Sequence, residues 1–309
     1  MKRILLTSFI ALFSFSCFSQ DTTSTSSIDS SLLEVTPAPP IADTLMPLAF
    51  DHSNAVKDNT KAFSPYTTRF KTEAAIIGAS VAVNYIGFQL IRNKRDLTPD
   101  ELARKTPDRL MFMDRWNAGY YSAKADRDSY ILFNGSYVYP LAIMLLDKKQ
   151  RQKFGQLAVL YLETIGITGS MYTLTAGLVY RSRPYVYGNI APVEMRMSKG
   201  AQRSFYGGHV ATTAAFSFFT AQVFRDFHPN SKLRPYVWSL AAVLPAIMAY
   251  ERYKAGYHFL SDSFIAYTIG AATGILVPHL HKNKKLKDFS LKPTVVNGAQ
   301  GLSMVYKIR

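Results

Sequence analysis

Six apolar stretches, at 74–91, 129–146, 157–180, 209–224, 236–250 and 258–280, set the first constraint on this chain. Each outlasts the roughly four to eight residues of a buried strand, so each is predicted as a helix. The fold class that follows is all-α, a six-helix bundle. The third and sixth stretches approach or exceed the ~20 residues that cross a bilayer upright. The fourth and fifth are shorter, and Asn84, Asn134, Glu163 and Asp262 lie inside or beside the others. Hydrophobic residues make up 48% of the chain against 18% charged, a balance that suits a membrane-associated bundle better than an ordinary soluble domain. A compact soluble bundle with wholly buried helices has a similar pattern.

The flanks read differently. Lys2 and Arg3 precede an apolar run over residues 4–15, and small residues Cys17 and Ser19 stand before Gln20. This is the pattern of a secretory signal peptide over 1–19; lipidation of Cys17 is the weaker alternative. Residues 20–70 are rich in Ser, Thr, Asp and Pro and read as a flexible linker. The helical domain is placed at 71–283. Within it, the charged stretch 93–128, with Asp114-Arg115-Trp116, suits an interfacial segment. A basic tail begins at 282–287, and two weakly alternating stretches around Asn297-Gly298 predict a small β-hairpin within 284–309. Cys17 is the only cysteine, so a mature exported chain has neither disulfides nor thiolate metal sites.

The formal charge of +15 favours anionic partners. Export excludes nucleic acid and leaves an anionic membrane surface and phosphorylated substrates. Six full spans after a cleaved signal would put the basic stretches 148–153 and 282–287 on the side that the positive-inside rule disfavours. Partial embedding of the bundle is therefore expected.

Three places gather the groups that phosphoryl transfer needs: fixed cations, oriented donors, a nucleophile and a proton donor. Arg181-Ser182-Arg183-Pro184 follows the third helix, where guanidinium forks suit a phosphate. Ser204-Phe205-Tyr206-Gly207-Gly208-His209 opens the fourth, and its glycines let backbone N–H groups approach an anion at a helix N-terminus. Glu251-Arg252, then His258 and Asp262, close the set, with His258 and Asp262 at i and i+4 on one helix face. Alone, the first is also what a positive helix end looks like, the second an ordinary glycine turn, and the third a helix-capping pair. The set offers arginines in place of a carboxylate cluster, so no metal or other cofactor is expected.

Taken in order, the three motifs resemble the signature of the type 2 phosphatidic acid phosphatase and vanadium haloperoxidase superfamily: Lys-x6-Arg-Pro, Pro-Ser-Gly-His, then Ser-Arg-x5-His-x3-Asp. The resemblance covers about residues 74–282. It implies His258 as nucleophile forming a phosphohistidine, Asp262 as the residue that orients it, and His209 as general acid. It implies Arg183, Arg252 and the Gly208 amide as holders of the phosphate oxygens, with Arg181 as a further candidate. It also implies a substrate that is a phosphorylated lipid or small phosphoester, and a site facing the periplasm. Three positions depart: Ala176 stands for the lysine, Tyr206-Gly207 for Pro-Ser, and Glu251 for the serine before Arg252. Arg181, Tyr206 and Lys254 are the groups at hand to compensate. A weakened or altered phosphatase, a non-catalytic binder of phosphorylated envelope components and a vanadate-dependent peroxidase all fit these residues.

Overall fold

The computed structural model describes residues 64–283 and the backbone of residues 289–296 and 299–306. The expected signal peptide, most of the linker and the Asn297-Gly298 turn lie outside the described residues. Six long helices form: α1 (Phe70–Arg92), α2 (Ala123–Leu146), α3 (Phe154–Leu178), α4 (Gly208–Phe227), α5 (Arg234–Lys254) and α6 (Leu260–Leu280). Two strands, β1 (Phe289–Val296) and β2 (Ala299–Tyr306), pair antiparallel with Val296 opposite Ala299.

The first, second, fourth and fifth helices outrun their apolar stretches because polar residues extend them. The side chain of Ser122 accepts from the Ala125 N–H at 3.2 Å, and α2 therefore starts six residues before its apolar run, on Ala123-Lys124-Ala125-Asp126-Arg127-Asp128. Four helices, α1, α2, α3 and α6, are thus long and apolar enough to cross a membrane, where the apolar stretches alone point to two.

α4 is the central helix: 15 of its 20 residues are buried. Phe216, Phe219, Val223 and Phe227 form one core with Leu157, Leu160 and Tyr161 of α3 and Met144 of α2. Against α6 the contact is backbone on backbone. A Cβ on Gly270 would overlap the Ala211 carbonyl, and one on Gly274 the Ala215 carbonyl. Small residues four apart on both helices permit this approach, which in a membrane substitutes close packing for hydrophobic drive. α1 is held to α3 by polar contacts: Asn84 Nδ2 donates to the Gly166 carbonyl (3.1 Å) and to Ser170 Oγ (2.8 Å). The asparagine inside the first apolar stretch is an interhelical clamp.

Two segments cap one end of this bundle. Residues 93–122 expose Met111, Phe112, Trp116 and Tyr120, the side chains favoured at a membrane–water boundary. Gly256, at φ +75°, lets the α5–α6 loop touch the backbone of Tyr120, where any side chain would overlap the Tyr120 carbonyl. At the other end residues 64–69 are part of the body and not of a linker. Tyr66 is buried, donates to Asp226 Oδ2 at 2.9 Å and pairs with Lys282.

Candidate phosphate site

The chain leaving α3 runs beside the chain entering α4. Arg183 N donates to the Ala201 carbonyl at 2.8 Å, Ser204 N to the Arg181 carbonyl at 3.0 Å, and Arg181 bridges Arg203. Two motifs far apart in sequence thereby share one short ladder. Pro184 then opens a 3₁₀ turn, Pro184–Tyr187, which turns the chain under the bundle end.

α4 begins at Gly208 with no side-chain cap. Its first intrahelical bond is from Ala211 N to the Gly207 carbonyl, so the N–H groups of Gly208, His209 and Val210 precede the ladder and suit an anion. Gly208 is obligatory for a local reason: a Cβ there would lie 2.6 Å from the ring of Tyr172 on α3. His209, in the first turn, lies against Phe133 and Tyr130 of α2, with ring centroids 4.1 and 5.2 Å away.

His258 sits between the two loops. Its Nδ1 is 2.6 Å from the Ser204 carbonyl. A carbonyl only accepts, so Nδ1 carries the proton and Nε2 keeps its lone pair. Asn117 Nδ2 donates to the His258 carbonyl at 3.0 Å. A Cβ on Gly207 would come within 3.5 Å of His258 Cγ, which puts this imidazole against the N-terminus of α4, two residues from His209.

The two arginines of the neighbouring motifs meet on Tyr257. Arg183 Cζ lies 4.4 Å and Arg252 Cζ 4.2 Å from the centre of that ring. Arg252 is wholly buried and donates through Nη1 to Asp126 Oδ1 (2.5 Å) and Ser129 Oγ (3.0 Å). The Nε groups of both arginines, His209 Nε2 and Tyr130 Oη are buried without a hydrogen-bond partner. Leaving such a group unpaired costs about 1–3 kcal/mol, so these four groups mark the candidate anion site. Burial first, and then the charges of Arg252 and Arg183, hold both imidazoles well below the ordinary histidine range; Arg181 adds a further positive charge beside His258. Both are therefore neutral at pH 7 when no anion is bound.

Two expected roles change. Arg181 is not available to a phosphate: its guanidinium bridges Asp262 Oδ1 and Asp114 Oδ2 (2.6 Å to the latter) and reaches Ser261 Oγ. Asp262 does not hydrogen-bond His258. Its Oδ1 is taken by Arg181, and its Oδ2 accepts from Ser204 Oγ (2.6 Å) and from the Phe259 N–H (3.0 Å). The i, i+4 spacing brings His258 and Asp262 to one face, but His258 precedes the helix, and its ring turns to Ser204 instead. Asp262 is linked to His258 through Ser204, whose hydroxyl donates to the carboxylate and whose carbonyl holds the imidazole.

Sequence reasoning placed Ser204 in the second motif without its role, gave Asp114 no part in the site, and missed Asp126, Tyr257 and Lys94. Lys94, just after α1, is buried and donates from Nζ to the carbonyls of Val179 (2.6 Å) and Gln202 (3.0 Å), joining the two loops. Burial and the nearby Arg203 and Arg183 lower its pKa to about 8. Ala176, at the motif's lysine position, is wholly buried, and it shares a helix face with Tyr172, four residues earlier, which packs on Gly208. A lysine close to Arg183 is thus present, from the segment that follows α1. A lone lysine at the end of an apolar stretch carries no signal of this in sequence.

Residues 157–286 match the family model of the PAP2 superfamily. Among solved structures, one titled as the first transmembrane PAP2 type phosphatidylglycerolphosphate phosphatase, from Bacillus subtilis, is similar at 17% identity and a TM-score of 0.34, covering 72% of this chain and 96% of its own. No curated protein matches the chain. The matched segment runs from α3 through α6 and contains the Arg-Pro, Gly-His and Arg-x5-His-x3-Asp elements that the fold gathers at one helix end, so over residues 157–286 the chain is similar to the PAP2 superfamily.

Proposed function

We propose that the protein is a metal-independent phosphatase acting on a phosphorylated lipid or small phosphoester, with its site facing the periplasm. The observation that carries this reading is the set of unpartnered groups, Arg183 Nε, Arg252 Nε and His209 Nε2, beside a histidine whose lone pair is fixed on Nε2. Two guanidiniums and the α4 N–H groups bind three phosphate oxygens. His258 Nε2 attacks phosphorus as the bond to the leaving oxygen breaks, and that oxygen takes a proton from His209. A bound phosphate dianion offsets the arginine charges that otherwise keep His209 neutral, so substrate binding itself allows His209 to hold the proton it then delivers. Water next attacks the phosphohistidine, returning its proton to His209 and freeing His258 and inorganic phosphate. Four helices fit to cross a membrane suit a lipid-borne substrate.

The test is phosphate release by purified protein in detergent from phosphatidate, phosphatidylglycerol phosphate, a polyprenyl diphosphate and soluble phosphoesters. We expect release from at least one, with at least a thousandfold loss in His258→Ala and a ³²P label on His258 in rapidly quenched wild type. Binding without turnover on every substrate would favour a binding protein. Sidedness is tested with a cysteine at the exposed Ile190 in a Cys17→Ser background. Labelling of intact spheroplasts by an impermeant thiol reagent is expected, and labelling only after permeabilisation would place the site in the cytoplasm.

A further inference from the structure

The other end of the same helices holds a second constellation that the phosphatase reading does not use. Glu73 in the first turn of α1, Glu163 of α3 and His281, the residue that ends α6, bring one ligand atom each to within 4.8 Å of one another. Glu73 is 5% exposed and Glu163 1%. Glu73 Oε1 accepts from the Arg69 N–H at 2.6 Å, but Glu73 Oε2 and Glu163 Oε1 are buried and accept no hydrogen bond. Lys282, the nearest lysine in sequence, is engaged by Asp226 at 2.8 Å.

The histidine is arranged as a ligand. Its Nδ1 lies 2.8 Å from the Val277 carbonyl, which keeps the proton on Nδ1 and turns the Nε2 lone pair toward the two carboxylates. That is the outer-shell bond by which proteins orient a metal-binding imidazole. Nε2 stands 3.5 Å from Glu73 Oε2 and 3.5 Å from Glu163 Oε2. This is too long for a charge-assisted hydrogen bond, which lies near ~2.8 Å. It is close to the ~3.4 Å that separates two ligands each about 2.0–2.1 Å from one tetrahedral ion. Two buried carboxylates facing a lone pair repel one another unless a cation or a shared proton lies between them.

We propose that Glu73, Glu163 and His281 bind one divalent transition-metal ion of the zinc class, in a site separate from the phosphate site. One imidazole and two carboxylate oxygens form a borderline ligand set that suits Zn²⁺ ahead of the harder Mg²⁺ and Ca²⁺, which favour all-oxygen shells. The ion ties α1, α3 and α6, three helices fit to span a membrane, at the end where residues 64–69 enter. There Thr67 N already donates to the His281 carbonyl at 2.8 Å. Its role is a clamp on the bundle, and the phosphoryl chemistry takes place at the opposite end of these helices.

The experiment uses the full chain purified in detergent without a polyhistidine tag. Metal content is measured by mass spectrometry, and chelator-stripped protein is titrated with Zn²⁺ and, separately, Mg²⁺ while heat of binding and unfolding temperature are followed. One Zn²⁺ per chain, a rise of several degrees in unfolding temperature and little response to Mg²⁺ are expected. Glu163→Gln and His281→Ala should each weaken Zn²⁺ binding at least tenfold. If either variant fails to fold, Glu73→Gln and the wild-type titration decide. Absence of saturable Zn²⁺ binding in wild type overturns the proposal and leaves a proton-sharing glutamate pair. Unchanged affinity in the folded variants overturns it as well.

Discussion

Helices α1, α3 and α6 end in opposite chemistries. At one end the protein buries arginines whose Nε–H groups have no acceptor; at the other it buries two glutamates, each with one oxygen, Glu73 Oε2 and Glu163 Oε1, that accepts no hydrogen bond. Unfilled donors call for an anion and unfilled acceptors for a cation, because either left alone in a dry interior costs more than it returns. A 21-residue helix spans about 30 Å, so the start and end of α6 hold the two sites apart. The lesson of the contrast is that orphaned polar atoms, read by sign, separate the two sites where burial does not: Glu163 and Arg252 are both almost wholly buried.

The comparison is broken most severely at the arginines. Arg252→Lys or Arg183→Lys keeps a positive charge but loses the planar fork and the stacking on Tyr257. We expect kcat/KM for phosphate release to fall roughly 10²–10³-fold. A lysine variant as active as wild type would show that charge alone, and not bidentate geometry, defines that end.

pH sharpens it next. His209 and His258 have folded-state pKa values well below 6.5, while the unfolded chain titrates near 6.5. Below that value the unfolded state binds more protons, so their contribution to stability is full above about pH 6.5 and is lost as pH falls toward the folded values. Thermal unfolding between pH 7.5 and 5 should show this fall, and His209→Gln should flatten part of it. In kcat/KM, which reports the free enzyme, the acid limb should lie below the ordinary histidine range. A limb at 6.5 or above would mean that these imidazoles are not held neutral.

The smallest effect belongs to the departures from the family signature. Gly207→Ser fits, since its Cβ makes ordinary contact with His258, Val210 and Ala266 at 3.5–3.6 Å. Returning a hydroxyl beside the Gly208 amide should change phosphate release by up to about tenfold. Ala176→Lys should instead overpack a wholly buried position and lower stability by about 1–3 kcal/mol, while Lys94, just after α1, already brings a lysine near Arg183. Faster release by the Ala176→Lys variant, without loss of unfolding temperature, would remove Lys94 from the account.

Read alone, the sequence carried the all-α class and all six long helices, because helix length and apolar periodicity are local properties. It also carried the order of Arg183, His209, Arg252, His258 and Asp262, because residue type and spacing suffice to state a motif. It misjudged lengths, since a cap such as Ser122 extends α2 through charged residues that no hydropathy pattern includes. Partners were decided only by the tertiary structure. Arg181 was drawn to Asp114, 67 residues away, and His258 to Ser204, 54 residues away. Lys94 came to Val179, and Glu73 came to Glu163 and His281, by the packing of helices that are distant in the chain. Charge satisfaction in a buried interior depends on which groups meet across the bundle, and sequence spacing encodes only those that meet along one helix.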